Sequence, residues 1–493
     1  MNILDRVITS FSPARGLARV RARQEIKVRM NYDAASRGRR THGWKSPSTN
    51  ADAAAFGGRQ QLRNLSRDMI RNRPYATRAQ SVITNNVVGS GVVPSVVCKD
   101  QALKDEVTNA IHDHLYSPSL DAAGELGLLE MGRIVMNTVV SDGEILARFR
   151  PRSGTYAVGL SMPFQIELIE VDYLDMTITG FGKNEVIEGI EYGPTGAKVA
   201  YHILRHHPGT VSRQQNRSSD RVLADNILHI YRADRPGQMR GVPWMAPVMM
   251  TMGELSDYQE AQILKQRMAA LMAAFITGGD DGPQGGDDSD APAIDDLAPG
   301  AVIQLGSGQG VTFTDPPKVD GYDQFMRQGL SAVAIGMGVT YEALAGDLSG
   351  VNFSSARMGR MEMDKNIEVW QRHIVINQFC NGVAKWFKSV WRLSAGANAR
   401  RVDEFKLEWV APRRALVDPA REVPALVTEI EAGLDSRQNK QRALGLDPDR
   451  VHRERQEDTA REVISTATPV AIDVSDGDDD QTGEDDPEDT EPA

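Results

Sequence analysis

Between Tyr341 and Trp391 the chain carries no proline, and this stretch constrains the fold more than any other. It opens as YEALAGDLSGVNFSSAR, rich in small and polar residues. It runs on as MGRMEMDKNIEVWQRHIVINQFCNGVAKWFKSVW, with apolar residues at helical spacing. Met363, Ile367, Trp370 and Ile374 form one stripe, and Ile376, Phe379, Val383, Trp386 and Val390 continue it after a slip in register. A helix from Ala356 to Trp391 would span roughly 54 Å at about 1.5 Å per residue. The slip, followed by Gly382, predicts a bend. A polar loop feeding so long a helix reads as a mechanical part rather than as an enzyme's signature.

A second long helix is predicted over Trp244 to Phe275, where Met245, Val248, Met252, Leu255, Tyr258, Ala261, Leu264, Met268, Leu271 and Phe275 recur at steps of three and four. A tight connector, RADRPGQMRGVPW, precedes it, and a Gly/Asp/Pro loop, TGGDDGPQGGDDSDAPAID, follows. Short strands are expected at AVIQLG and GVTFT, then a helix over Tyr322 to Met337. Two long helices separated by loops cannot bury their stripes on each other alone, which predicts packing between subunits.

Upstream, helices are predicted over Arg59 to Arg73, Tyr75 to Val88 with Pro74 in its first turn, Asp100 to Tyr116 and Gly127 to Ser141. From Glu144 the texture alternates, in EILARFRPR, FQIELIEVDYLD, EVIEGIEYG, AKVAYHILR and NILHIYR, which are strand signals. This region is therefore α+β. Beyond KLEWVAPRRALVDP, helices are expected over Pro419 to Gly433 and Ser436 to Leu444, the latter capped by Asp435 or Ser436.

The 493 residues allow about two to four domains. Charge is placed unevenly. Asp473 to Ala493 holds eleven carboxylates and no Lys or Arg, whereas Met1 to Arg40 holds ten Lys or Arg against three acids, a formal +7. The whole chain is −11, so all that precedes Asp473 sums to −11 minus −11, or zero. The acidic tail cannot bury apolar surface and is expected to be disordered. The basic head is expected to be a solvated arm that contacts a neighbouring subunit or nucleic-acid phosphates. Two cysteines, Cys98 and Cys380, give no disulfide framework and fit a reducing compartment. No run of about 18 apolar residues predicts a membrane span, and the amino-terminal apolar stretch is too short and interrupted for a secretory signal.

Catalytic motifs are missing from the sequence. No G-x-x-x-x-G-K-[ST] phosphate loop, G-x-S-x-G elbow or H-E-x-x-H zinc motif occurs. His202 and His206 would share one face of a strand, which permits a metal site, but a polar strand end explains them as well. His112 and His114 stand two apart on a predicted helix and do not share a face. Neither an enzymatic activity nor a cofactor is expected.

Several phrases, taken together, resemble the lambda-type family of bacteriophage portal proteins. They are RNRPYATRAQSVITNNVVGSGVVP, RPGQMRGVPWMAPVM, YEALAGDLSGVNFSSAR and VDPAREVPALVTEIEAGLDSRQ, spread over residues 59 to about 450. Phe353 stands where the family's pattern has tyrosine, keeping the ring and losing the hydroxyl. The resemblance implies a multi-domain portal fold assembling as a ring, typically of twelve subunits, at one capsid vertex. It implies a channel that passes double-stranded DNA without reading its sequence, during packaging and ejection, and a candidate nucleator of capsid assembly. The implied partners are terminase, the major capsid and scaffolding proteins and head-tail connector proteins, with no membrane; the implied location is the virion, and the host cytoplasm during assembly.

Carried onto this chain, the resemblance implies a basic arm (1–58), a wing (59–243), a first stem helix (244–276) and a clip (277–320). Then come a second stem helix and connector (321–344), a tunnel loop (345–355), a long helix (356–393), a crown (394–470) and the acidic tail (471–493). Gly346, Asp347, Leu348, Ser349, Gly350, Val351, Asn352, Phe353 and Ser354 are the candidate channel residues, and Arg357 and Arg360 the candidate phosphate contacts. Gly278, Gly279, Asp280, Asp281, Gly285 and Gly286 would face the terminase. A capsid-lining or adaptor protein without a DNA channel is the alternative.

Overall fold

The computed structural model describes residues 12–14, 18–19, 21, 39–45, 47–210, 218–270, 274–277, 310–313, 321–412, 418–446 and 448–466. The acidic tail, most of the basic arm and, of the expected clip, residues 278–309 and 314–320 lie outside them. Among the described residues no helix is long and apolar enough to cross a membrane. The chain forms two compact units, a small one of residues 1–56 with 235–239 and a large one containing the rest.

In the small unit, the Asn50 side chain caps a helical turn, Ala51–Ala55, by accepting from the Ala53 amide at 2.7 Å. The 235–239 segment is held by Arg235 Nη2 donating to the Thr49 carbonyl at 3.1 Å, and by the Met239 amide donating to the Asp52 carboxylate at 2.8 Å.

The large unit begins with helices α1 (Arg59–Asn72) and α2 (Pro74–Val87), then strand β1 (Val93–Cys98), α3 (Gln101–Ala110) and α4 (Leu128–Asp142). Pro74 sits at the start of α2, where its missing N–H costs nothing. A π-helical turn, Ile111–Leu115, extends α3. On α2, Ala76, Ala79, Ile83 and Val87 recur at helical spacing and are fully buried, in one core with Met131, Val135 and Val139 of α4.

Two antiparallel sheets follow. The first, ordered β3-β2-β9, joins Phe164–Ile169, Glu144–Pro151 and Ile227–Tyr231. The second has five strands in the order β4-β5-β6-β7-β8, from Gly180–Phe181, Glu185–Ile187, Ile190–Tyr192, Lys198–Leu204 and Ser219–Leu223. Mixed helices and antiparallel sheets make the fold α+β, as the alternating sequence texture implies.

The first long helix is shorter than its periodicity suggests. Trp244 to Val248 form turns, α5 covers Met249–Ala270, and Phe275 lies in strand β10 (Ala274–Thr277), which pairs antiparallel with β11 (Gly310–Phe313). Helix α6 (Tyr322–Met337) has the predicted limits. It packs closely on α5. An added Cβ at Gly329 would stand 2.5 Å from Leu255 Cδ2, and one at Gly336 would stand 2.3 Å from Val248 Cγ1.

After the short α7 (Tyr341–Ala345), the second long helix is continuous in three parts. These are α8 (Phe353–Trp370), a π-helical segment (Gln371–Cys380) and α9 (Asn381–Ser394). The π segment, with its wider turn, absorbs the register slip between Ile374 and Ile376. Gly382 serves close packing: a Cβ there would lie 2.4 Å from Leu228 Cδ2 of β9.

One expectation is corrected here. The stripe of this helix needs no second subunit, because Met363, Ile367, Trp370, Ile374, Phe379, Val383, Trp386 and Val390 are buried in the protomer's own core. Strand β12 (Phe405–Val410) then pairs antiparallel with β1, joining Val93 to Val410 and Cys98 to Phe405 across 300 residues of sequence. Helices α10 (Pro419–Glu431), α11 (Arg437–Ala443) and α12 (Pro448–Thr466) complete the described chain. The Ser436 hydroxyl caps α11 by accepting from the Asn439 amide at 3.1 Å.

Candidate functional site

The candidate loop is shorter and better held than its composition suggests. Helix α7 starts under Thr340, whose hydroxyl accepts from the Ala343 amide, and stops at Gly346, whose φ of +72° suits glycine. Asn352 and Ser355 form a reciprocal cap, so Phe353 and Ser354 belong to the first turn of α8. The loop proper is therefore Gly346 to Asn352.

Inside it the Asp347 carboxylate accepts from Ser349 Oγ at 2.6 Å, the Ser349 amide at 3.0 Å and Tyr341 Oη at 3.3 Å. The Ser349 hydroxyl and amide hold the Asp347 carboxyl below the usual range, so it is charged at neutral pH. Arg327 of α6 stacks over the Tyr341 ring at 5.4 Å. A Cβ on Gly350 would come within 3.0 Å of its Nη2, so the loop is seated against that guanidinium.

Leu348 is 69% exposed. Beside the loop lies an open cleft of about 500 Å³ lined by Leu348, Val351, Arg360, Met363, Asn86 and Pro412 among others. Arg357 is exposed, and Arg360 stands 3.9 Å from Asp364 on the same helix. The structure thus gathers the loop residues, Arg357 and Arg360 around one end of α8. Gly278, Gly279, Asp280, Asp281, Gly285 and Gly286 lie outside the described residues.

The GQMRGVPW phrase reads in the sequence only as a connector and a family-like motif; the structure gives its side chains a role. Arg240 forks onto Glu144, with Nε to Oε2 at 2.9 Å and Nη2 to Oε1 at 2.8 Å, while its Nη1 reaches Glu188 at 3.1 Å. Arg59 of α1 pairs with the same Glu188. Glu144 also accepts from the Gly241 amide at 3.0 Å and from His229 Nε2 at 2.8 Å, and Lys198 Nζ donates to His229 Nδ1 at 3.0 Å.

Burial, then the neighbouring Lys198 charge, push the His229 pKa down to about 3, so the ring is neutral. Burial works against the Glu144 charge, but Arg240 and His229 outweigh it and keep the carboxyl well below its ordinary range. Gly241 is required for the approach, since a Cβ there would stand 2.1 Å from the Gly143 carbonyl oxygen. Three residues on, Trp244 is buried against Trp370 of α8 at 4.8 Å, with the Arg232 guanidinium 4.5 Å from its ring. The phrase is a lock between the sheet and the long helices. The signal in the sequence was the charged residue beside a glycine at both ends, Gly143-Glu144 and Arg240-Gly241.

A second charged cluster surrounds α1. Arg63 Nη2 meets Asp172 at 2.7 Å, and Arg67 meets Asp142 at 2.9 Å, Asp172 at 2.8 Å and Glu170 at 3.2 Å. Burial opposes ionisation of Asp172, but the two guanidiniums hold its carboxyl below the usual range. Glu170, Asp172 and His207 place one ligand atom each within 4.8 Å of one another. Arg67 pairs with both carboxylates and Arg63 with Asp172, so the acids of this trio are already engaged in an ion-pair network. His202 and His206 do not share a strand face, because β7 ends at Leu204 and His206 lies in the polar strand end beyond it.

Comparison with known proteins places these features in a family. A model described as phage portal protein, lambda family, matches residues 37–371, two thirds of the chain. The chain belongs to that family and is a portal protein. It is 26% identical over 476 residues to a probable portal protein of Halomonas phage phiHAP-1, covering 89% of this chain and 88% of that one. It is 22% identical over 452 residues to the portal protein of Escherichia phage N15, covering 81% and 84%.

Among solved structures, a chain in the neck of a native GTA (gene transfer agent) particle, computed with C12 symmetry, is 15% identical. That match covers 79% of this chain and 94% of the other, at a TM-score of 0.48. An HK97-family portal protein from Corynebacterium diphtheriae is 13% identical, covering 74% and 98%, at 0.34. The assignment stands on the sequence family.

Proposed function

We propose that copies of this chain assemble as a ring of twelve at one capsid vertex, forming the channel through which double-stranded DNA is packaged and ejected. The terminase docks first at residues 277–320, and head-completion or tail proteins dock there afterwards. In this reading residues 59–243 form the wing, 244–276 and 321–344 the stem, and 394–470 the crown. The loop of Gly346 to Ser354 edges the bore, with Arg357 and Arg360 behind it.

The observation that carries the reading is the loop itself, a short acid-bearing turn fixed to the head of a long, core-anchored helix. A conduit must bind phosphates weakly, because every neutralised phosphate strengthens attachment. Asp347 brings a half-buried negative charge at the surface, and the Arg360 charge is shared with Asp364. The opposite side of α8 supports contact between copies. Met358, Met361 and Val369 fall along one side of the helix and are 68%, 54% and 51% exposed, away from the stripe buried in the protomer.

Electron microscopy of the purified protein tests the assembly. Closed rings with an opening wide enough for duplex DNA are expected, whereas filaments or rings without a hole would favour a capsid-lining or adaptor role. Deleting residues 347–353 tests the loop. DNA packaging and retention should fall, and normal levels of both would remove the loop from DNA handling.

A further inference from the structure

The face of α9 that looks onto β12 carries a basic groove that the portal reading does not use. Lys385, Lys388 and Arg392 lie along one side of α9, at spacings of three and four residues, and Lys406 and Leu407 of β12 form the facing wall. The cavity is about 520 Å³. It takes carboxylates already, with Asp225 standing 3.1 Å from Lys385 Nζ and Asp403 standing 3.2 Å from Arg392 Nη2. Both acids are more than four-fifths exposed, so these pairs are of the weak surface kind and exchange readily. Lys388 donates to the Phe405 carbonyl at 2.7 Å and stands over the Phe405 ring at 4.9 Å. Burial, and then the nearby Arg392 and Lys406 charges, lower its pKa against the pull of Asp403, so its surroundings favour an added anion.

We propose that this groove docks the chain's own acidic carboxyl-terminal segment, residues 473–493. The segment has eleven carboxylates and no Lys or Arg, the complement of the four cations in the groove. Reach permits it. Arg442 of α11 stands 3.9 Å from Glu408 of β12, two residues from Lys406, so the carboxyl-terminal helices begin close to the groove. From there α12 runs for 19 residues, roughly 28 Å. The 27 residues after Thr466 can span up to about 90 Å when extended. A tethered acidic segment is present at an effective concentration in the millimolar range, well above that of free anionic competitors.

The test uses the full chain and a zero-length carbodiimide cross-linker, which joins a carboxylate to a lysine amine in contact with it. Cross-links from residues 473–493 to Lys385, Lys388 and Lys406 are expected at low salt and should disappear at about 0.5 M salt. A second arm uses a chain ending at Ile472 and a fluorescent peptide of residues 473–493. The triple substitution Lys385→Glu, Arg392→Glu, Lys406→Glu, all at exposed positions, should weaken peptide binding about tenfold or more. Circular dichroism confirms that the variant is folded. Cross-links spread over lysines elsewhere, or equal peptide affinity of the triple variant, overturn the proposal. So does protection of these lysines by a short DNA duplex when the peptide gives none, which would make the groove a DNA face.

Discussion

Replacing Arg240 by methionine tests the lock between sheet and helices most directly. Arg240 and Glu144 have 2% and 0% side-chain exposure, and the arginine's charge-assisted contacts include three to Glu144 and one to Glu188. Removing one partner of such a buried pair strands the other and costs about 3–5 kcal/mol. Among the described residues Glu144 would retain His229 and the Gly241 amide, while Glu188 would retain Arg59. Adding Glu144→Gln removes the stranded charge, so the double variant should recover at least about 2 kcal/mol of the single variant's loss.

The stranded Glu144 also takes up a proton more readily, so the deficit of Arg240→Met should shrink as the pH is lowered from neutral. Urea unfolding followed by tryptophan fluorescence is a suitable assay, because Trp244 lies four residues from the substitution, between Arg232 and Trp370. A loss below about 1 kcal/mol, or a double variant no better than the sum of the two single changes, would refute the lock.

Acid should weaken the large unit through His114, buried on a π turn against Phe164, whose pKa burial lowers to about 4. The unfolded chain takes the proton first, so this contribution is whole above about pH 6.5 and is lost as pH falls towards 4, by about 3 kcal/mol in all. His114→Leu should flatten that part of the stability–pH curve in thermal melts. Gly336→Ala would place a Cβ 2.3 Å from Val248 Cγ1, and overpacking of this kind costs about 1–3 kcal/mol. A thermal melt should show the loss, and adding Val248→Ala should restore most of it. Asp347→Lys removes the acceptor for Ser349 and Tyr341 and sets a second cation near Arg327, so stability should fall by about 1–3 kcal/mol. Ring affinity for duplex DNA should rise, with a salt slope steeper by about 0.9 for each added phosphate contact, as measured by gel shift between 50 and 200 mM salt.

Much of the fold could be read from period and punctuation. α6 has the predicted ends because Gly321 and Gly338, both at positive φ, bracket its apolar pattern. β2, β3, β7 and β9 fall where polar and apolar residues alternate. What escaped was set mostly by distant partners. Trp244 to Val248 carry the helical period but form turns, with Trp244 packed on Trp370; Pro247, two residues before α5 begins, is the local signal that the periodicity overrode. The β1–β12 pairing joins segments about 300 residues apart, and no local signal carries it. The candidate loop was legible as a loop. Its restraint was not, because it depends on Arg327 of a different helix.

These contacts rank the parts of the molecule by the energy needed to move them. α6 approaches α5 through Gly329 and the turn before it through Gly336, the sheet is bound to the connector by buried ions, and α8 and α9 bury their stripe in the core. Disturbing any of these costs several kcal/mol. Asp347 and Arg327 hold the loop through one internal turn and contacts at the surface, each worth about 1 kcal/mol or less. Displacement is therefore cheapest at Gly346 to Asn352, between the positive-φ stop of α7 and the capped start of α8. In the role proposed for it at the edge of a DNA channel, the loop would have to yield to a passing polymer without disturbing its support, and that contrast in stiffness would serve the role. Here it comes from glycine placement and from the burial of charge, not from a loop that is merely unstructured.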